Sequence, residues 1–159
     1  MGHHFIRVPE LVSLMAGTAA VRLLDVRWRL DRPTEGPVAY AEGHIPGAVF
    51  VDMENDLASH GTPQDGRHPL PSRAALQDAA RRWGLRRGDT VVIYDDSRGL
   101  AASRAWWLLR EYGVAARVLD GGLEAWRRTG HPLETGELSP APGDIVLDDP
   151  RGGEFSKDE

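Results

Sequence analysis

The sequence predicts an α/β fold: a parallel sheet with helices on both of its faces. Three observations carry this. Short apolar runs of strand length alternate with stretches of helical periodicity. The run Thr90-Val91-Val92-Ile93-Tyr94 is apolar throughout and rich in β-branched residues, as a strand buried on both faces must be. Glycines 17, 84, 113 and 130 close the helical stretches, each just past the last periodic residue.

The elements follow in order. Pro9 to Ala16 reads as a short helix, with Pro9 at the first helical position and an apolar stripe of Leu11, Leu14 and Met15. Val21 to Val26 is a strand. Trp28 to Gly47 holds three prolines and three glycines and reads as one long loop, the kind that usually carries function or contacts. Ala48 to Val51 is a second strand, and His60 to Pro71 another Gly/Pro-rich loop. Ser72 is placed to cap a helix whose inner face is Leu76, Ala79, Ala80 and Trp83. The strand Thr90–Tyr94 leads through a tight loop, Asp95 to Gly99, into a helix from Leu100 to Tyr112. Ala101, Ala105, Leu108, Leu109 and Tyr112 face inward on it. Ala116 to Leu119 is a strand and Gly122 to Arg128 a short helix.

With 159 residues, 41% hydrophobic and 27% charged, the chain is one soluble-type domain. It divides into a body, 1–133, and an acidic Pro/Gly-rich stretch, 134–159, expected to be a tail or a truncated linker to a further domain. The body carries 17 basic and 16 acidic residues, and the stretch beyond it 2 basic and 8 acidic, so the net charge of −5 comes from the latter. A near-neutral body has no nucleic-acid footprint. No run of 18 apolar residues exists, so no membrane partner is expected. The first twenty residues lack a signal peptide's apolar core, which makes the cytoplasm the expected location.

The chain has no cysteine. That excludes disulfides, thiolate metal sites and any thiolate nucleophile or persulfide. Of six histidines, only His3-His4 are adjacent, and these read as a disordered end; no ligand spacing suggests a metal. Ser97 and Ser103 lack the Gly-x-Ser-x-Gly setting of a hydrolase elbow.

The segment with most chemistry is the turn from Tyr94 to Leu100. A short loop between a parallel strand and a helix aims backbone N–H groups at one point, and the helix N-terminus adds partial positive charge. The first loop position, where a nucleophile would stand, is Asp95. The simplest reading is that Asp95 or Ser97 caps the helix. A phosphoryl-accepting aspartate would need a second acid two positions on, and Asp95-Asp96-Ser97 lacks it.

Together these motifs resemble a rhodanese domain: Leu23-Leu24-Asp25-Val26-Arg27, Gly43-His44-Ile45-Pro46-Gly47-Ala48, Val91 to Tyr94 with its loop, and Leu119-Asp120-Gly121-Gly122-Leu123-Glu124-Ala125-Trp126. The resemblance covers residues 8–133. Gly66-Arg67-His68-Pro69-Leu70-Pro71 and Arg104-Ala105-Trp106-Trp107 narrow it to the N-terminal domain of two-domain thiosulfate/3-mercaptopyruvate sulfurtransferases. It implies a five-stranded parallel sheet and transfer of a sulfane sulfur to cyanide or another thiophilic acceptor. It also implies a catalytic cysteine first in the loop after the fourth strand, where this chain has Asp95.

Several expectations follow. No residue is catalytic, and Asp95, Asp96, Ser97, Arg98, Gly99 and Leu100 are the remnant of an active-site loop whose anion site the Asp95 carboxylate fills. Phosphatases of the same fold carry a longer loop ending near an arginine, and Arg98 and Arg104 do not match it. Asp25 hydrogen-bonds the loop starting at Arg27, and Gly47 takes a positive φ. Arg67 and His68 face the cleft between domains. Trp106 and Trp107 diverge by about 100° on one helix, so one faces the core and the other a neighbouring domain. The expected partner is a catalytic rhodanese domain, in the same parent chain or separate, whose substrate cleft this domain completes. The alternative is a stand-alone binding or regulatory module. No cofactor and no metal are expected.

Overall fold

The computed structural model of the protein describes residues 4–18, 20–28, 35–56 and 70–150. They form β1 (Phe5–Ile6), α1 (Val8–Ala16), β2 (Val21–Asp25), α2 (Glu35–Glu42), β3 (Val49–Phe50), α3 (Met53–Asp56), α4 (Arg73–Arg82), β4 (Thr90–Tyr94), α5 (Leu100–Glu111), β5 (Ala116–Leu119) and α6 (Gly122–Arg128). The described strands make one five-stranded sheet in the order β1-β5-β4-β2-β3, parallel at every pairing. This is the predicted α/β class.

The continuous apolar run of β4 has a simple cause. Strand side chains alternate between faces, and both faces are covered. Val91 and Ile93 enter a core shared with α4 and α5, while Val92 and Tyr94 enter one shared with α1 and α6. Ser72 accepts the Ala75 N–H at 3.1 Å and starts α4, which buries Leu76, Ala79, Ala80 and the Trp83 that follows it. The register sets Asp25 beside Tyr94, so the ends of β2 and β4 meet.

Three features depart from the sequence reading. The stretch 28–47 is not all loop, because α2 lies within it. Gly36 and Pro37 look like breakers but fall in the first turn, where proline is tolerated. Only Gly36 and Tyr40 of α2 are fully buried, so it shows no apolar stripe. A Cβ on Gly36 would stand 2.7 Å from the Arg27 carbonyl oxygen, which shows how closely α2 packs. The four-residue α3 was likewise unread. The third departure is β1, a two-residue edge strand. The expectation of a disordered end fails for His4: its carbonyl accepts the Val118 N–H at 2.8 Å, and its ring lies edge-on to Trp106 at 4.9 Å.

The sequence leaves open the order of the stretch after residue 133. From 134 to 150 it has irregular backbone, yet it is laid along the body. Glu134 bridges His44 through both main-chain hydrogen bonds, at 2.9 and 2.7 Å. Ile145 and Leu147 are buried in the α4/α5 core, and Val146 between them points outward, an extended alternation. Asp148 donates its N–H to the Tyr112 carbonyl at 2.9 Å. Among the described residues, no helix is long and apolar enough to cross a membrane.

Candidate functional site

The site is built where β4 ends and α5 begins. Asp95 is the first residue past the strand and is buried. Its Oδ1 accepts the N–H groups of Ser97 at 3.0 Å and Gly99 at 2.9 Å; its Oδ2 accepts that of Ala102 at 2.7 Å. The helix's own N-cap, Gly99, has no side chain to offer, so Asp95 caps α5 from four residues upstream. The capping reading and the anion-cradle reading thus describe one arrangement: the loop's converging N–H groups hold an anion, and the anion is the Asp95 side chain. Arg98, at φ 62, and Gly99, at φ 87, turn the loop into the helix. Asp96 and Arg98 are exposed, Ser97 and Gly99 half-buried, and Leu100 is 78% exposed on the rim.

A second helix start closes on the same residue. Leu123 donates its N–H to the Asp95 carbonyl at 3.0 Å, and Gly122, at φ 58, lets α6 come that near.

Beneath the loop lies a buried polar network. Tyr94 donates its hydroxyl to Asp25 Oδ2 at 2.7 Å and accepts the Ile45 N–H at 3.1 Å. Arg27 grips Asp25 through Nε to Oδ1 at 3.1 Å and Nη2 to Oδ2 at 2.8 Å, and Nη2 also reaches the Gly43 carbonyl at 2.6 Å. The expected bond from Asp25 to the loop at Arg27 is there, with the Arg27 N–H at 3.2 Å. Burial works against the Arg27 charge, but hydrogen bonding and attraction from Asp25, with Tyr94 and Asp96 beyond, hold its pKa above the ordinary value. Burial, then the Asp25 charge, pushes the Tyr94 phenol well above its ordinary range.

Within the Gly43–Gly47 turn, His44 anchors the backbone. This side chain is buried, stacked on Tyr40 at 4.2 Å, and its ring nitrogens face the Ile45 and Gly136 carbonyls at 2.9 and 3.0 Å. Gly47 has the expected positive φ of 86°, and its N–H is taken by Glu134 Oε1 at 2.9 Å. Sequence reasoning places His44 in the Gly43–Gly47 turn and Tyr94 in a buried strand; neither buried polar role leaves a signal in spacing. Among the described residues, no group of three His, Asp or Glu side chains could hold a metal.

The other expected site residues are scattered. Trp106 is half-buried against the α4/α5 core and carries the Arg110 guanidinium 5.5 Å from its ring, while Trp107 is 40% exposed. The two therefore diverge as expected. Leu100 and Trp107, seven apart, share the outer face of α5. Arg67 and His68 lie outside the described residues. What the loop offers chemically is a saturated carboxylate: three N–H groups engage its oxygens, and no thiol stands near it.

Comparison with known proteins gives a consistent result. The model of the rhodanese-like domain matches residues 8–129. A Mycobacterium tuberculosis protein that carries the name of a thiosulfate sulfurtransferase, SseB, is 48% identical over 147 residues, 92% of this chain and 51% of its own length. The solved structure of 3-mercaptopyruvate sulfurtransferase from Leishmania major superposes with a TM-score of 0.84 at 30% identity, covering 92% of this chain and 41% of that one. SseA, the Escherichia coli 3-mercaptopyruvate sulfurtransferase, gives 0.77 at 32% identity, covering 91% and 56%. The chain spans about half the length of the curated relatives it matches.

Proposed function

The chain belongs to the rhodanese-like domain family, and from that premise we propose that it is the non-catalytic domain of a thiosulfate/3-mercaptopyruvate sulfurtransferase. It moves no sulfur itself. It completes the substrate cleft of a cysteine-bearing rhodanese domain, in the same parent chain or a separate one. The observation that carries this reading is Asp95. Sulfane transfer needs a thiolate to hold the sulfur as a persulfide, and the sequence has no cysteine. At the end of β4 the loop N–H groups instead bind the chain's own carboxylate. An incoming anion would have to displace a covalently tethered one.

Two further facts support the partner. Relatives named as sulfurtransferases are matched over about half their length. The face of α5 leading down from the loop exposes Leu100 at 78% and Trp107 at 40%, large apolar side chains of the kind that a second surface covers.

The test is reconstitution. The chain is added to a cysteine-bearing rhodanese domain, and thiocyanate formation is followed with thiosulfate and with 3-mercaptopyruvate. Addition is expected to raise the rate, and Leu100→Asp with Trp107→Asp to abolish the rise. A rate indifferent to the added chain contradicts the proposal.

A further inference from the structure

At the opposite end of the sheet from Asp95 lies a cleft of about 670 Å³. It is bounded by the loop into β4, the loop from α5 into β5, and the extended stretch around Ile145 to Asp148. β4 starts at this cleft with Thr90 and ends beside Asp95, so the two sites stand about 16 Å apart along the strand. The cleft is therefore independent of the loop at Asp95, and the inference drawn from it does not rest on the sulfurtransferase reading.

The walls are unusual in their charge. Arg86, Arg87, Arg110 and Arg117 line the cleft, against Asp89 and Asp148. Four arginines outside the cleft pair with carboxylates: Arg27 with Asp25, Arg73 with Asp149, Arg82 with Asp56 and Arg128 with Glu124. None of the ion pairs seen among the described residues involves the four in the cleft. This happens in a chain with more acids than bases. Of the two acids present, Asp89 is already engaged, its Oδ2 taking the Arg86 N–H at 2.7 Å. Arg110 and Arg117 are half-buried, and stacking on Trp106 at 5.5 Å holds the Arg110 guanidinium in place. The floor beneath is apolar and buried: Val91, Val114, Ala116 and Ile145.

We propose that this cleft is a binding site for a small molecule carrying an oxoanion, phosphate or carboxylate, next to an apolar part. Guanidinium groups take both anions in paired hydrogen bonds. The apolar floor receives the remainder, and the volume lies within the range of small-molecule sites, about 300–1,000 Å³. Because Ile145, Val146 and Asp148 form one wall, an occupant would also fasten the extended stretch to the body.

The experiment is an NMR titration of the labelled chain with phenyl phosphate, with phenylacetate, and with inorganic phosphate as the oxoanion lacking an apolar part. Saturable shifts at the amides of Val114, Ala116, Ile145 and Val146 are expected, tighter for the two aromatic probes. The stronger of those two identifies the preferred anion. Arg110→Gln and Arg117→Gln should each weaken binding about tenfold, and Arg128→Gln on α6 should leave it unchanged. Near-UV circular dichroism checks each variant; should one fail to fold, Arg87→Gln takes its place. Shifts that rise linearly without saturating, that spread over the surface, or that ignore the cleft arginines overturn the proposal and leave a solvated basic surface only.

Discussion

A Cβ placed on Gly122 would lie 2.5 Å from the carbonyl oxygen of Asp95, although the two residues belong to different turns. The approach lets Leu123 donate its N–H to that carbonyl. It joins the start of α6 to the loop before α5. Gly88 is a useful contrast, because its φ is also positive, 87°, but nothing lies within 4 Å of its Cβ position. Gly88→Ala should therefore cost only the left-handed backbone penalty, about 1 kcal/mol. Gly122→Ala should cost at least about 1 kcal/mol more, through the collision. Urea unfolding of the two variants measures the difference.

The network under the loop makes the next prediction. Arg27→Met leaves the Asp25 carboxylate buried without its counter-ion, and breaking such a pair costs about 3–5 kcal/mol. Replacing both partners together, with Asp25→Leu and Arg27→Met, should recover much of that loss. A double-mutant cycle by chemical denaturation reads the coupling.

Tyr94 gives a pH dependence of known sign. Its phenol is held above the ordinary value in the folded chain, chiefly by burial and the Asp25 charge. The unfolded phenol ionises near pH 10. The contribution is therefore fully present below pH 10 and is lost progressively as pH rises above it, because only the unfolded state releases the proton readily. Tyr94→Phe should flatten this alkaline decline while costing about 1–3 kcal/mol at neutral pH, since Asp25 and the Ile45 N–H each lose a partner. Denaturation midpoints between pH 8 and 11 test both statements. A decline as steep in the variant as in the parent contradicts the assignment.

The stretch after residue 133 also yields a test. Ile145 is buried with α4 and α5, so Ile145→Ala should destabilise the whole domain by about 2–4 kcal/mol. A loose tail would show no effect on the melting transition.

These elements show what the chain's pattern could and could not reveal. β4 and α6 run as the sequence reading has them, and α5 ends one residue early, because each has a complete apolar pattern and glycine or loop signals at its ends. Helix α2 escaped notice since Gly36 and Pro37 imitate a loop and only Tyr40 supplies a large buried side chain. Two residues of β1 are too few for any periodicity. At the site, Asp95 was legible because strand, turn and helix fix where a loop's first residue must stand. The hydroxyl of Tyr94 and the imidazole of His44 were not. Their partners, Asp25 and the Gly136 carbonyl, are 69 and 92 residues away in sequence.

The cradle can be probed with a thiol. Asp95→Cys puts sulfur among N–H groups that now bind a carboxylate, and they should favour the thiolate. Iodoacetamide should alkylate the variant at neutral pH several-fold faster than a free thiol of pKa about 8.5. A rate equal to that of the free thiol would mean that the loop N–H groups do not converge.

The central claim is that this domain carries no sulfur of its own because Asp95 stands where a thiolate is required. The most direct measurement is the conversion of cyanide to thiocyanate by the chain alone, with thiosulfate and with 3-mercaptopyruvate as donors. The rate is predicted to equal that of the protein-free solution with either donor. Thiocyanate formed well above that rate, and lost when residues of the 95–100 loop are replaced, would contradict the account.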